Sequence, residues 1–268
     1  MALFVAPAAS TLGGVQTWLD YVVPGLESHG IAGLVALCGG VHHRVADYKF
    51  AHPALPVVEV CNVTGSRKGR IDAVAAVIRR TRPRWVIAAN IADVYFAVLQ
   101  ARHADASLDC RSVMTIHAIQ PDFFDELAAI PEALDAVVAT NRLTVSLVND
   151  RCITGGQRAL YAPYGVQLPN AQPEHPRSAL SLGSQSPIRL AFVGRFEENQ
   201  KRISLLPQLC ELLTKMGRPF ELWLAGGGPN ESELKTALAP FADAGRVRWL
   251  GHVPATVVGA RLSPRGHA

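Results

Sequence analysis

The sequence predicts an α/β fold of the doubly wound kind, with parallel strands covered by helices. Three observations predict it. Short continuous apolar runs, mostly β-branched or leucine-rich, alternate with helical stripes from end to end. Hydrophobic residues are 49% and charged residues 18% of the 268 residues, enough to bury a sizeable core. A stretch rich in proline and serine, 168–187, breaks the alternation and has no apolar period, so it reads as a linker. The expected organisation is a first lobe over 1–167, the linker, and a second lobe beginning at 188.

The expected strands, in order, are 3–6, 31–37, 57–61, 85–89, 112–116, 136–139, 160–162, 188–193, 221–225 and 247–250. The first helix carries Val15, Trp18, Leu19, Val22 and Leu26 at helical spacing, with Gly30 as its stop. Ile71, Val74, Ala75 and Ile78 form a second stripe, followed by arginines at 79, 80 and 82 that suit a helix C-terminus. Leu206, Leu209, Cys210 and Leu213 form a third, with Ser204 as N-cap, Pro207 in the first turn and Gly217 as the stop. Leu234, Leu238 and Phe241 form a fourth, opened by Asn230 with Glu233 three residues on.

Composition excludes several classes. The net charge of +4 is mild and spread along the chain. It suits phosphate-bearing ligands or an anionic membrane surface, and it is not the footprint of a nucleic-acid binder. Five widely spaced cysteines without a CxxC pair argue against a disulfide framework or a zinc ribbon and for a reducing, cytoplasmic setting. The N-terminus has no basic region and reads as a first strand, not a signal peptide. No run of 18 apolar residues occurs. Nucleophile-elbow, Walker and HExxH motifs are absent, as is the GxGxxG dinucleotide fingerprint.

Four places could carry chemistry. Gly13-Gly14 lies between the first strand and the first helix, where backbone N–H groups and the helix dipole attract phosphate. A turn needing positive φ explains the pair equally well. Gly194-Arg195, followed by Lys201, leaves the C-terminal end of strand 188–193, where ligands of open α/β sheets sit. Two cations there could hold a diphosphate; the alternative is two solvated cations beside Glu197 and Glu198. His117 ends a buried strand, either as a pocket residue or as a satisfied structural group. Gly226-Gly227-Gly228 follows strand 221–225 and serves either close ligand approach or a simple turn. His42, His43 and His52 lack metal-ligand spacing and sit in a polar loop. Asp122, Asp125 and Glu126 fall at the start of a helix, where acids favour the dipole.

Together these residues resemble a known family. Ala-Phe-Val-Gly194-Arg195-Phe-Glu-Glu-Asn-Gln-Lys201, then Glu-Leu-Trp-Leu-Ala-Gly226-Gly227-Gly228-Pro, then Arg-Val-Arg-Trp-Leu-Gly-His252-Val253-Pro254 are similar in order and spacing to the C-terminal lobe of family 4, group 1, retaining glycosyltransferases. Ser-Thr-Leu-Gly13-Gly14-Val-Gln resembles that family's N-terminal glycine loop, and Tyr-Ala-Pro-Tyr164-Gly165-Val resembles the segment entering its linker. The resemblance spans roughly 1–254 and is specific in combination. It implies the GT-B fold, two Rossmann-like lobes facing across a cleft. It implies a nucleotide-sugar donor, UDP- or GDP-linked, and a glycan, lipid-linked or other hydroxyl acceptor bound by the first lobe. Arg195 and Lys201 would bind the diphosphate and stabilise the leaving nucleotide, so that no metal or other cofactor is needed. Gly13 and Gly14 would pack against the same phosphate, His117 would face the transferred sugar, and Gly194, Gly227, His252 and Val253 would line the donor site. A place at the cytoplasmic face of a membrane, through peripheral contact, is compatible with the charge.

The resemblance also implies roughly a hundred further residues after the Gly-His-Val-Pro strand, including a pair of glutamates that contact the donor sugar. The expectation is therefore a second lobe that is incomplete, over 188–254, followed by an atypical tail, 255–268, with no acidic residue. Two other readings stay open: a non-catalytic remnant that binds nucleotide only, and another two-lobed α/β enzyme such as a nucleotide-sugar epimerase.

Overall fold

All ten apolar runs are strands in a computed structural model of the chain. It describes residues 1–8, 14–40, 44–89, 91, 93–119, 121–129, 131–151, 159–165 and 187–253. The expected linker, except Pro187, and the expected tail lie outside the described residues. Two compact units form, Met1–Asn170 and Ala171–Ala268.

The first unit runs β1 (Ala2–Pro7), α1 (Gly14–Glu27), β2 (Gly33–Cys38), α2 (Val45–Ala51), β3 (Val57–Val60), α3 (Arg67–Thr81), β4 (Trp85–Ala89), α4 (Asp93–Ala104), β5 (Arg111–Ile116), α5 (Pro121–Ala129), β6 (Ala136–Ala139), α6 (Arg142–Arg151) and β7 (Ala159–Tyr161). Its sheet is parallel throughout, in the order β3-β2-β1-β4-β5-β6-β7. The order reverses at β1, which pairs with β2 on one side and β4 on the other. Such a reversal opens a crevice beyond the strand C-termini.

Side-chain alternation along β1 explains its unbroken apolar run. Leu3 and Val5 point into a core shared with α3 and α4, while Phe4 and Ala6 point into one shared with α1 and α2. Each Leu or Phe buried this way contributes about 1.5–3 kcal/mol. Polar staples hold helices to the sheet. Arg102 of α4 donates to the Cys110 carbonyl and to Asp135, whose carboxylate also accepts the Ser112 N–H. Asp93, buried at the start of α4, accepts from Arg67 and Arg70 of α3. Ser66 caps α3 by accepting the Gly69 N–H, and Arg82 ends it in the left-handed region.

The second unit runs β8 (Ile188–Val193), α7 (Glu198–Lys201), α8 (Leu205–Lys215), β9 (Phe220–Ala225), α9 (Glu231–Asp243) and β10 (Val247–Gly251). Its three parallel strands lie in the order β10-β9-β8. Phe220, Leu222 and Leu224 of β9 pack with Leu234 and Leu238 of α9 and Cys210 of α8. Three local expectations are corrected. Leu209 is 36% exposed, alongside exposed Leu205, Leu212 and Met216, because the described three-stranded core takes Leu206, Cys210 and Leu213. Ser204 stands at the N-cap of α8 without capping it; its hydroxyl donates to the Glu198 carboxylate, the stronger acceptor. Asn230 does not cap α9 through its side chain but donates to the Glu233 carboxylate. Among the described residues no helix is long and apolar enough to cross a membrane.

Candidate functional site

The three strands of the second unit end in loops that are laced to one another. The Gly194 N–H donates to the Ala225 carbonyl at 3.0 Å, and the Phe196 N–H to that of Gly227 at 2.9 Å. The Asn230 N–H donates to Phe196 at 3.1 Å, and the Gly226 N–H to Gly251 at 2.7 Å. This lacing assigns the glycine run. Gly226 has a φ of 141°, and a β-carbon there would overlap the Gly194 carbonyl. A β-carbon on Gly228 would stand 2.5 Å from the Phe196 carbonyl oxygen. Gly226 and Gly228 are thus required by loop contact, while Gly227 contributes its carbonyl.

Phe196 is buried against Phe192 and Trp249 and anchors the β8 loop. Its neighbour Arg195 is left half-exposed at an open cleft of about 460 Å³, lined also by Glu197, Gln200 and Asn230. Arg195 is ion-paired to Glu197. Its Nε lies 3.0 Å from Glu197 Oε2 without hydrogen-bond alignment, and it donates to Gln200 at a long 3.4 Å. Glu198, the other acid of the loop, is engaged by the N–H and hydroxyl of Ser204, which hold its carboxyl below the usual range. Gly194 and Arg195 therefore meet the glycine loop as one built edge. Lys201 is exposed on α7 and does not line the cleft. His252 and Val253 follow β10, His252 exposed and Val253 half-buried.

The first unit carries a second constellation at the crevice end of its sheet. Gly14 is the first residue of α1, and Gly13 lies outside the described residues. No positive φ is found at Gly14, and among the described residues a β-carbon on it would meet only the Tyr164 hydroxyl, at 3.8 Å. Nothing among the described residues therefore demands glycine at position 14. His117, just past β5, is packed edge-on against Trp18 and stacked on Tyr164, with ring centroids 4.9 and 5.5 Å away. Its Nδ1 lies 2.6 Å from the Tyr164 hydroxyl, and its Nε2 lies 2.9 Å from Thr115 Oγ1. Burial pushes its pKa down to about 4, so the ring is neutral at pH 7. Tyr164 is the residue that sequence reasoning missed. Only its place in the Pro-Tyr-Gly segment hinted at it.

Other sequence candidates settle into structural roles or stay undescribed. His52 does not sit in a polar loop; it is buried, 2.7 Å from Asp20, and tilted against Tyr48. His42 and His43 lie outside the described residues. Asp122 is in the first turn of α5. Burial pushes the Cys38 and Cys210 thiols up to about 11, which leaves them inert as nucleophiles.

No protein-family model matches the chain, and no curated protein matches it. Solved structures do. The chain is similar to the lipopolysaccharide outer core galactosyltransferase WaaB in its apo form, at 18% identity, over 96% of this chain and 70% of that one, with a TM-score of 0.69. It is similar to the pneumococcal O-GlcNAc transferase GtfA in complex with UDP and GlcNAc, at 8% identity, over 97% and 78% of the two chains, with a TM-score of 0.69. It is also similar to a putative UDP-N-acetylglucosamine 2-epimerase from Listeria monocytogenes, at 10% identity, over 97% and 71%, with a TM-score of 0.57. At such identities the likeness is one of fold. The chain has the two-lobed α/β architecture of GT-B glycosyltransferases, with a seven-stranded parallel sheet in the first lobe and a smaller sheet described in the second.

Proposed function

We propose that this chain is a group 1 type glycosyltransferase that moves a sugar from a nucleotide-sugar donor to an acceptor hydroxyl with retention of configuration. The observation that carries the reading is Arg195, half-exposed at the cleft on a glycine-laced loop edge and ion-paired to Glu197. A half-exposed guanidinium presents several N–H donors and can grip a diphosphate through two parallel ones. Lys201, the second cation of this reading, is exposed on α7 and would have to turn toward a cleft that it does not line. As the bond from the anomeric carbon to the phosphate oxygen breaks, the departing nucleotide takes the electron pair. Pre-placed positive charge stabilises it, so the reading calls for no metal.

In this reading 188–254 binds the donor, 168–187 links the lobes and 1–167 serves the acceptor. Gly194 and Gly227 supply backbone to the phosphates, His252 and Val253 lie toward the base, Gly13 and Gly14 toward phosphate, and His117 toward the sugar. The fold shared with transferases, one of them solved with UDP and GlcNAc, supports it. A second reading, isomerisation of a nucleotide sugar, draws on the likeness to the putative epimerase.

Calorimetric titration with UDP and GDP tests the donor site. Arg195→Ala should weaken nucleotide binding about ten- to a hundredfold, the worth of a charge-assisted hydrogen bond. Equal affinity in the two chains would defeat the reading. Incubation with a labelled nucleotide sugar then separates transfer to an acceptor from isomerisation.

A further inference from the structure

Helix α8 carries two apolar stripes, and the described core of the second unit uses one. Leu206, Cys210 and Leu213 pack into that core. Leu205, Leu209, Leu212 and Met216 follow one another at spacings of four, three and four residues, which sets them in a single row along the helix. They are between 36% and 63% exposed. Single surface leucines are ordinary, but four in a row make a continuous apolar ridge. Cations stand at both ends of it. Lys201 and Arg202 precede the ridge and Lys215 and Arg218 close it, against one acid in 201–218, Glu211. At about 100° per residue, Lys215 lies about 90° round the helix from the ridge and Glu211 about 130°.

We propose that α8 is an interfacial helix that docks the second unit on an anionic lipid bilayer, with the ridge at the acyl boundary and the flanking cations among the headgroup phosphates. Charge selects this occupant. Two copies of the chain pairing through the ridge, parallel or antiparallel, would bring cationic end against cationic end, so the ridge repels itself. A protein partner is typically gripped by an aromatic or arginine anchor seated in a pocket, whereas this ridge is convex and made of three leucines and a methionine. A fluid acyl surface needs no matching pocket, and negative headgroups complement both ends. Nothing in this depends on the donor reading. Docking also reaches the cleft. Ser204, directly before Leu205, gives its N–H and its hydroxyl to Glu198 of the cleft lining, so a docked α8 holds that rim beside the headgroups.

Vesicle co-sedimentation of the full chain tests this. Vesicles of phosphatidylcholine and phosphatidylglycerol in equal parts should bind it at least about tenfold more tightly than phosphatidylcholine alone, and raised salt should remove most of the difference. Leu212→Ser combined with Met216→Ser should weaken binding to the mixed vesicles about tenfold or more, with the thermal melt unchanged because both side chains are exposed. Lys215→Glu should weaken it about fivefold or more. Absence of binding to the mixed vesicles, equal affinity for the neutral ones, or equal binding by wild type and either variant would overturn the proposal. Self-association in sedimentation velocity that the serines abolish, without vesicle binding, would give the ridge to a second copy instead. Should the serine variant not fold, Leu212→Trp replaces it: added emission that shifts to the blue and is quenched by brominated lipid supports docking, and emission that vesicles leave unchanged overturns it.

Discussion

Gly226 lies against Gly194 so closely that a β-carbon on the first would overlap the carbonyl oxygen of the second. The φ of Gly226, 141°, is also one that side chains rarely adopt. Gly226→Ala therefore combines strain with a steric clash against backbone, which cannot swing aside. It should destabilise the second unit by about 1–3 kcal/mol or more. Urea unfolding followed by tryptophan fluorescence would read the change, since Trp223 and Trp249 sit in this sheet. An unaltered midpoint would show that the loops are free to separate.

Gly14→Ala should behave in the opposite way. Its backbone is not left-handed, and among the described residues a β-carbon there has only the Tyr164 hydroxyl for a neighbour, at 3.8 Å. Stability should stay within about 0.5 kcal/mol of wild type or rise slightly, because alanine loses less entropy in a helix. Thermal melts check it. A large loss of stability would mean that Gly14 is structural after all.

His117 sets a pH dependence with a definite sign. Its pKa falls from 6.5 to about 4 on folding because burial disfavours the charged ring. Between those values the unfolded chain binds a proton that the folded chain does not. Stability from this group is thus full above pH 6.5 and is lost as pH falls toward 4, by at most about 2–3 kcal/mol. Other groups titrate in the same range, so the measurement is a difference. The gap in urea midpoints between pH 7 and pH 4.5 should be smaller in His117→Phe than in wild type. Equal gaps would place the proton elsewhere.

Strands were legible because most are buried on both faces and so read as continuous apolar runs, as in Leu3, Phe4 and Val5. Helix α4 was not, for a related reason. Val94, Tyr95, Ala97, Val98 and Ala101 are all buried, which leaves too little polar face for a stripe to stand out. Helix α2 is short, and α7 is a single turn. In the site, residue type and position pointed to Arg195 and His117, since both follow strand ends. What the sequence could not carry was partnership across distance. Tyr164 and His117 meet over 47 positions, and no local pattern records it. Likewise, three successive glycines look alike until the Gly194–Phe196 backbone shows which two must lack a side chain.

The central place of β1 governs how the first unit assembles. Ala2 pairs with Gly33 on one side and Trp85 on the other, so one neighbour is early and the other late. A chain emerging from the ribosome can close β1 on β2 as soon as the first helix is made. The opposite edge of β1, with some of the most apolar residues of the unit, then stays open until β4 is synthesised. Long-range closures of this kind slow folding and leave sticky intermediates. Translation speed between β2 and β4, and chaperone capture in that interval, should therefore decide how much of the chain reaches its native state.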